Sequence, residues 1–168
     1  RSPGAASSWP DCVPRWCGRS TCSASTTRAR WPTPGTQSPG GSRPGGLLVE
    51  GTCDELGRLG SWVLLDATGP LTLTLSAKLT TLESPATLAE RLPKALIHRN
   101  VPGERIHDLI EALEQAWRAA AGYAPFGPRQ RWLRTVEAVK ESGWPIRDSP
   151  RTWRHGNLTL PWPAISPR

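Results

Sequence analysis

Apart from three Trp and three Cys, the side chains that can build a hydrophobic core begin at Leu47. Residues 1–46 contain no Leu, Ile, Phe, Tyr or Lys, and apart from four Ala their only aliphatic residue is Val13. The same stretch holds seven Pro and seven Gly. Because such a segment cannot offset the entropy lost on ordering by burying apolar surface, we expect residues 1–46 to be disordered. Any folded core must be built from residue 47 onward.

A β-hairpin is the first element that the pattern after residue 47 predicts. Residues 61–65 form a short apolar run, residues 66–70 have the composition of a turn, and Leu alternates with Thr through residues 71–75. Strict alternation is typical of a strand with one buried face. We predict a hairpin at about residues 61–76, with Asp66 as a turn residue rather than a catalytic carboxylate.

A helical segment is predicted after the hairpin. Ser84 followed by Pro85 is typical of a helix N-cap and first helical position. Pro93 lies inside the apolar pattern and removes a backbone donor, so we predict either a kink or two short helices. The apolar face of this segment is formed by Leu88, Leu92 and Leu96.

Two longer helices are predicted next. Apolar residues recur at spacings of three and four through residues 104–121, and Gly122 stands where a left-handed C-cap is favoured. A second such pattern covers residues 128–142 and ends at Gly143. Their short connection favours an antiparallel helical hairpin.

These elements define the predicted fold class, which is α+β. We expect a small domain at residues 47–144, in which the β-hairpin packs on the helical hairpin. Proline recurs through residues 145–168, so we predict an irregular tail there. The longest apolar run is the four residues 62–65, against the roughly 20 that a membrane span requires, and we expect no membrane segment.

Charge suggests one alternative role for the predicted domain. The formal net charge is +7, with +5 in residues 1–46, −3 in residues 47–127 and +5 in residues 128–168. Basic flanks and a basic helix at 128–142 can neutralise phosphates, and Trp beside Arg can stack on bases. The residues that would form this nucleic-acid-binding surface are Arg129, Arg131, Arg134, Lys140, Trp153 and Arg154.

The patterns typical of metal sites are incomplete in this chain. Cys12, Cys17 and Cys22 are evenly spaced and Cys53 is distant, whereas zinc sites favour two close pairs. Glu104 and His107 have the Glu-x-x-His spacing of di-iron bundles, but they fall on the polar face of their helix. We predict no metal, no cofactor and no catalytic residues.

The sequence therefore favours a small non-enzymatic accessory domain whose partner is another protein, with nucleic-acid binding as the alternative. We expect a cytoplasmic protein, because the first residues offer no apolar segment of a secretory signal. The chain is rich in residues that GC-rich codons encode and does not begin with Met. We therefore also consider a fragment, or a reading frame that is partly free of selection.

Overall fold

The structure, a computed structural model, describes residues 46–167 and confirms the predicted α+β class. The expected disorder of the first 46 residues falls almost wholly outside this range. Four strands form one antiparallel sheet in the order β1-β2-β3-β4. They are β1 (Leu48–Cys53), β2 (Leu59–Asp66), β3 (Gly69–Ala77) and β4 (Asn157–Pro161).

The helices cover one face of this sheet. The α-helices are α1 (Lys94–Ile97), α2 (Arg105–Ala119), α3 (Pro128–Glu141) and α4 (Pro150–Trp153). Shorter 3-10 segments lie at Leu79–Thr81, Pro85–Arg91, Ala120–Phe126 and Trp162–Ala164. The core forms between the sheet and α2 and α3, where residues such as Val63, Leu73, Leu109 and Trp132 have no exposed surface.

The predicted β-hairpin is formed by β2 and β3. Its turn depends on Asp66, whose carboxylate accepts the N–H groups of Thr68 at 2.7 Å and Gly69 at 3.1 Å. This is the turn role that the sequence predicted for Asp66. Leu73 and Leu75 of β3 are buried, which confirms the buried face of the alternating strand.

The predicted helical hairpin is formed by α2 and α3. The indole rings of Trp117 and Trp132 meet edge to face, 6.5 Å apart between centroids. Gly143 has a φ of 101°, and the N–H of Trp144 donates to Val139 O at 3.4 Å, as a left-handed helix end requires. The predicted stop at Gly122 is wrong, because Gly122 does not have a positive φ and the chain continues as the 3-10 segment Ala120–Phe126.

Pro93 divides the segment that begins at Ser84, as the sequence predicted. The Ser84 hydroxyl accepts the N–H of Ala86 at 3.1 Å and caps the 3-10 segment Pro85–Arg91. Helix α1 follows Pro93. The three leucines of the predicted apolar face, Leu88, Leu92 and Leu96, are at most 2% exposed.

The irregular tail predicted after residue 144 requires a correction, because residues 157–161 form β4. This strand pairs with β3 along its length, from Thr72 opposite Pro161 to Ser76 opposite Asn157. Leu158 and Leu160 have no exposed surface. The physical reason is tertiary: β3 needs a partner on the side away from β2, and five alternating residues suffice to supply one.

Candidate functional site

Strand β1 lies at one edge of the sheet and is exposed along its whole length. The apolar side chains at the start of β1 are accessible: Leu47, just before the strand, is 62% exposed, Leu48 is 53% exposed and Val49 is 61% exposed. Helices α2 and α3 cover the sheet further from this edge, as the burial of β2 and β3 shows. The edge therefore presents apolar side chains and backbone to its surroundings.

The hydrogen-bonding direction of each β1 residue follows from the register. The N–H of Asp54 donates to Leu59 O at 2.9 Å, which makes this pair a hydrogen-bonded one. Backbone groups in an antiparallel strand alternate in direction, so the even-numbered residues of β1 face β2. Val49, Gly51 and Cys53 then direct their N–H and C=O groups outward, where no residue in the range 46–167 accepts or donates.

The opposite edge of the sheet is protected. The N–H of Arg147 donates to Thr159 O at 3.0 Å, and the Asp148 carboxylate accepts the N–H of Thr159. Pro161, the next outward-facing residue of β4, has no N–H. Proteins commonly block sheet edges in these ways to prevent unwanted pairing. Within residues 46–167, the β4 edge is blocked and the β1 edge is uncovered, so only the β1 edge can accept another strand.

Asp54 fixes the turn that holds β1 against β2. Its carboxylate accepts the N–H groups of Leu59 at 3.0 Å and Arg58, and it pairs with the Arg58 guanidinium at 3.0 Å. The backbone N–H of Leu59 is the main cause that lowers the pKa of Asp54, with the Arg58 side chain contributing and partial burial opposing. The charged carboxylate thus orders the end of the open strand.

Two of the predicted nucleic-acid contacts, Arg131 and Arg134, have structural partners. Arg131 stacks 3.9 Å above the Trp117 ring and donates to Trp117 O at 2.9 Å and 3.2 Å. Arg134 pairs with Glu137 at 2.7 Å and lies 5.2 Å from the centre of the Tyr123 ring. Arg131 therefore joins α2 to α3, and Arg134 is already neutralised by its own helix.

Trp153 is buried, whereas Lys140 is exposed and places its ammonium group beside the Trp153 ring. The Lys140 Nζ lies 5.5 Å from the centre of the Trp153 ring. Trp153 is only 4% exposed, so its ring has no free face on which a base could stack. These two residues attach α4 to α3.

Arg129 and Arg154, the remaining two residues of that surface, do come together. They line an open pocket of about 350 Å³ with Arg151 and His155. Sequence reasoning missed Arg151 and His155. The signal was present in the arrangement Arg-x-x-Arg-His after the helix start Ser149-Pro150, because the first and second Arg of that spacing share one face of a helical turn.

The cysteines and the Glu104–His107 pair are the remaining candidate metal ligands. Cys12, Cys17 and Cys22 lie outside the described residues, and Cys53 is exposed. Glu104 pairs with Arg99 at 2.8 Å, and the His107 ring contacts the Asn100 side-chain oxygen at 3.3 Å. Within residues 46–167, no group of three or more His, Cys, Asp or Glu is placed to hold a metal ion.

Two further findings concern the helices and the comparisons with known proteins. In the part that the structure describes, none of the helices combines the length and the apolar character that crossing a bilayer requires. Comparison with protein-family models, curated proteins and solved structures found no match.

Proposed function

We propose that this chain is a non-enzymatic interaction module that binds an extended segment of a partner protein by adding it as a strand beside β1. The observation that carries the proposal is the row of outward-directed backbone groups at Val49, Gly51 and Cys53. Main-chain hydrogen bonds supply affinity in strand addition, and neighbouring side chains supply specificity. Here the neighbouring side chains are the exposed Leu47 and Leu48.

The chemistry of the partner segment follows from the side chains of β1. Leu48 and Glu50 lie on one face of the strand, and Val49 lies on the other. Opposite charges and apolar pairs across neighbouring strands are stabilising. The partner segment therefore has apolar residues near Leu48 and Val49 and a Lys or Arg near Glu50.

A second copy of this chain is a poorer occupant than a different protein. In a symmetric antiparallel pairing centred on Glu50, the two carboxylates face each other, and like charges in that position are destabilising. Pairings centred on Val49 or Gly51 place Leu48 opposite Glu50 or Asp54 of the other copy. These three registers pair the largest number of β1 residues. Each of them places a carboxylate opposite another carboxylate or opposite Leu48.

Three carboxylates among the described residues, those of Asp54, Asp66 and Glu114, hold turns and helix contacts, which fits the non-enzymatic part of the proposal. The Thr68 hydroxyl and N–H lower the pKa of Asp66 in its turn. For Glu114, partial burial raises the pKa, but hydrogen bonds from Ser84 and Arg118 outweigh this and leave the pKa below its usual range. Like Asp54, these groups are engaged in turns and helix contacts, which keep them ionised for structure.

The test uses the full chain and the variant Val49→Pro. The N–H of Val49 points outward, so proline removes a donor to a partner strand without removing a bond to β2. A display library of eight-residue peptides is selected against each protein. We expect the wild-type chain to enrich peptides that alternate apolar and basic residues, and Val49→Pro to lose at least about tenfold in affinity for them, the value of one or two hydrogen bonds.

The matched control is Val49→Thr, which keeps the N–H and the branched side chain. It should retain most of the peptide affinity, and both variants should show the thermal transition of the wild type. In the wild type, bound peptide should shift the amide NMR signals of Val49, Gly51 and Cys53. Failure to enrich peptides, or equal binding by Val49→Pro, would overturn the proposal.

A further inference from the structure

We propose that Arg129, Arg151, Arg154 and His155 form a binding site for a single phosphate group of the monoester type. The site is distinct from the strand-addition edge. It lies between the first turn of α3 and α4, and α4 leads directly into β4, whereas β1 forms the other edge of the sheet. The proposal therefore does not depend on the function of β1.

The pocket is unusual in the identity of its lining. All four residues that line its volume of about 350 Å³ are Arg or His, and none is acidic. Arg58, Arg99, Arg118 and Arg134 are each paired with a carboxylate. For the side chains of Arg129, Arg151 and Arg154, no carboxylate among residues 46–167 lies within salt-bridge distance, as is also the case for Arg91, Arg105, Arg131 and Arg147. The pocket differs from these in bringing three such side chains together. Three guanidinium groups held close together repel one another, and a bound anion relieves this repulsion.

The backbone beneath these side chains is held in place by the fold. Trp153, between Arg151 and Arg154, is buried and packs under Lys140 of α3. Gly156, next to His155, accepts the N–H of Ala77 at 3.0 Å and thereby fixes the end of α4 to β3. The positions from which the cations extend are thus set before a ligand arrives, which lowers the entropic cost of binding.

The choice of a phosphate follows from guanidinium chemistry. Arginine presents a planar array of donors that matches the oxygens of phosphate, and such charge-assisted bonds are about twice as strong as neutral ones. A phosphate monoester is close to a dianion at neutral pH and has three acceptor oxygens. It can therefore engage three arginines at once, which a carboxylate with two oxygens does less well.

A single phosphate fits better than a nucleic-acid backbone. A backbone needs a continuous track of cations, and the bases need stacking surfaces. Further along α3, Arg131 stacks on the Trp117 ring, and Arg134 forms an ion pair with Glu137. Lys140 lies beside the Trp153 ring. Among the arginines of α3, only Arg129, at the pocket, has no such partner within residues 46–167.

The experiment titrates the full chain with inorganic phosphate, with phenyl phosphate and with a single-stranded 12-nucleotide DNA, each followed by NMR and calorimetry. We expect saturable binding of phosphate or phenyl phosphate, with shifts at the Arg129, Arg151 and Arg154 side chains. The ligand that binds with the higher affinity shows whether the site takes free phosphate or a phosphate attached to an organic group. Arg154→Gln and Arg151→Gln should each weaken binding by about tenfold or more.

The matched control is Arg134→Gln, an exposed arginine of α3 outside the pocket, which should leave phosphate affinity unchanged. Thermal unfolding of each variant verifies that the fold persists. The proposal is overturned if neither phosphate ligand saturates, or if Arg134→Gln weakens binding as much as the pocket variants. The proposal is also overturned if the DNA binds with an affinity that falls with salt concentration as expected for contacts to several phosphates. That result would show a nucleic-acid surface instead of a site for one phosphate.

Discussion

At Gly156 a single methyl group decides whether β4 can stay in the sheet. The residue has a φ of 84°, and a Cβ built on it would lie 1.9 Å from Ala77 O. We predict that Gly156→Ala destabilises the protein by at least about 3 kcal/mol, the sum of left-handed strain and a backbone clash. Urea unfolding of the full chain measures this change.

Gly143 supplies the control for this substitution. It also has a positive φ, of 101°, but nothing lies within 4 Å of the position of its Cβ. Gly143→Ala should therefore cost only about 1 kcal/mol, from backbone strain. If the two variants were equally stable, β4 would not approach β3 as described.

Asp54 should make stability depend on pH in the acid range. Its pKa is lowered below the ordinary 3.8 in the folded protein, so the charged form stabilises the fold above that value. This stabilisation is lost as the pH falls through the lower folded-state pKa. We predict that Asp54→Asn is less stable than wild type at neutral pH and that the difference shrinks below the ordinary pKa. Thermal unfolding across pH checks this, with Glu55→Gln, the removal of an exposed neighbouring carboxylate, as the matched control variant.

At the scale of elements, Arg131 shows how α2 and α3 are joined. It caps α2 by donating to Trp117 O and covers the Trp117 ring. We predict that Arg131→Ala destabilises the fold by about 1–3 kcal/mol, since it removes a charge-assisted hydrogen bond and a stacked side chain. Chemical denaturation provides the measurement.

Arg134 on the same helix is the comparison for Arg131. Both members of its ion pair with Glu137 are exposed: 52% of the Arg134 side chain and 47% of the Glu137 side chain are accessible. Exposed pairs contribute about 0–1 kcal/mol, so Arg134→Ala should have little effect. Equal losses for the two variants would mean that Arg131 has no special role between the helices.

Elements whose pattern is complete within themselves were predictable from sequence. The β2–β3 hairpin carries its own alternation and its Asp66 turn, and α2 and α3 carry full helical periods. Strands β1 and β4 do not carry a complete pattern of their own, because each depends on a partner strand supplied by the hairpin. The prediction at Gly122 is wrong because the 3-10 segment that follows α2 satisfies the end of the helix without a left-handed residue.

At the scale of the whole molecule, the candidate sites were less predictable than the fold. The sequence indicated which residues are basic, but not that Arg131 and Lys140 would contact the rings of Trp117 and Trp153. It also gave no sign that β1 would be an open edge, because this depends on where the chain returns. The return of residues 157–161 to β3 blocks one edge, and no strand among residues 46–167 covers the other.

Hydrogen exchange of the backbone amides, followed by NMR on the full 168-residue chain, tests the open edge most directly. The amides of Glu50 and Thr52 face β2 and should be protected, as should that of Thr159 at the blocked edge. The amides of Val49, Gly51 and Cys53 should exchange nearly as fast as in an unfolded chain. If these three were as protected as their neighbours, the edge of β1 would be covered, and strand addition by a partner would be contradicted.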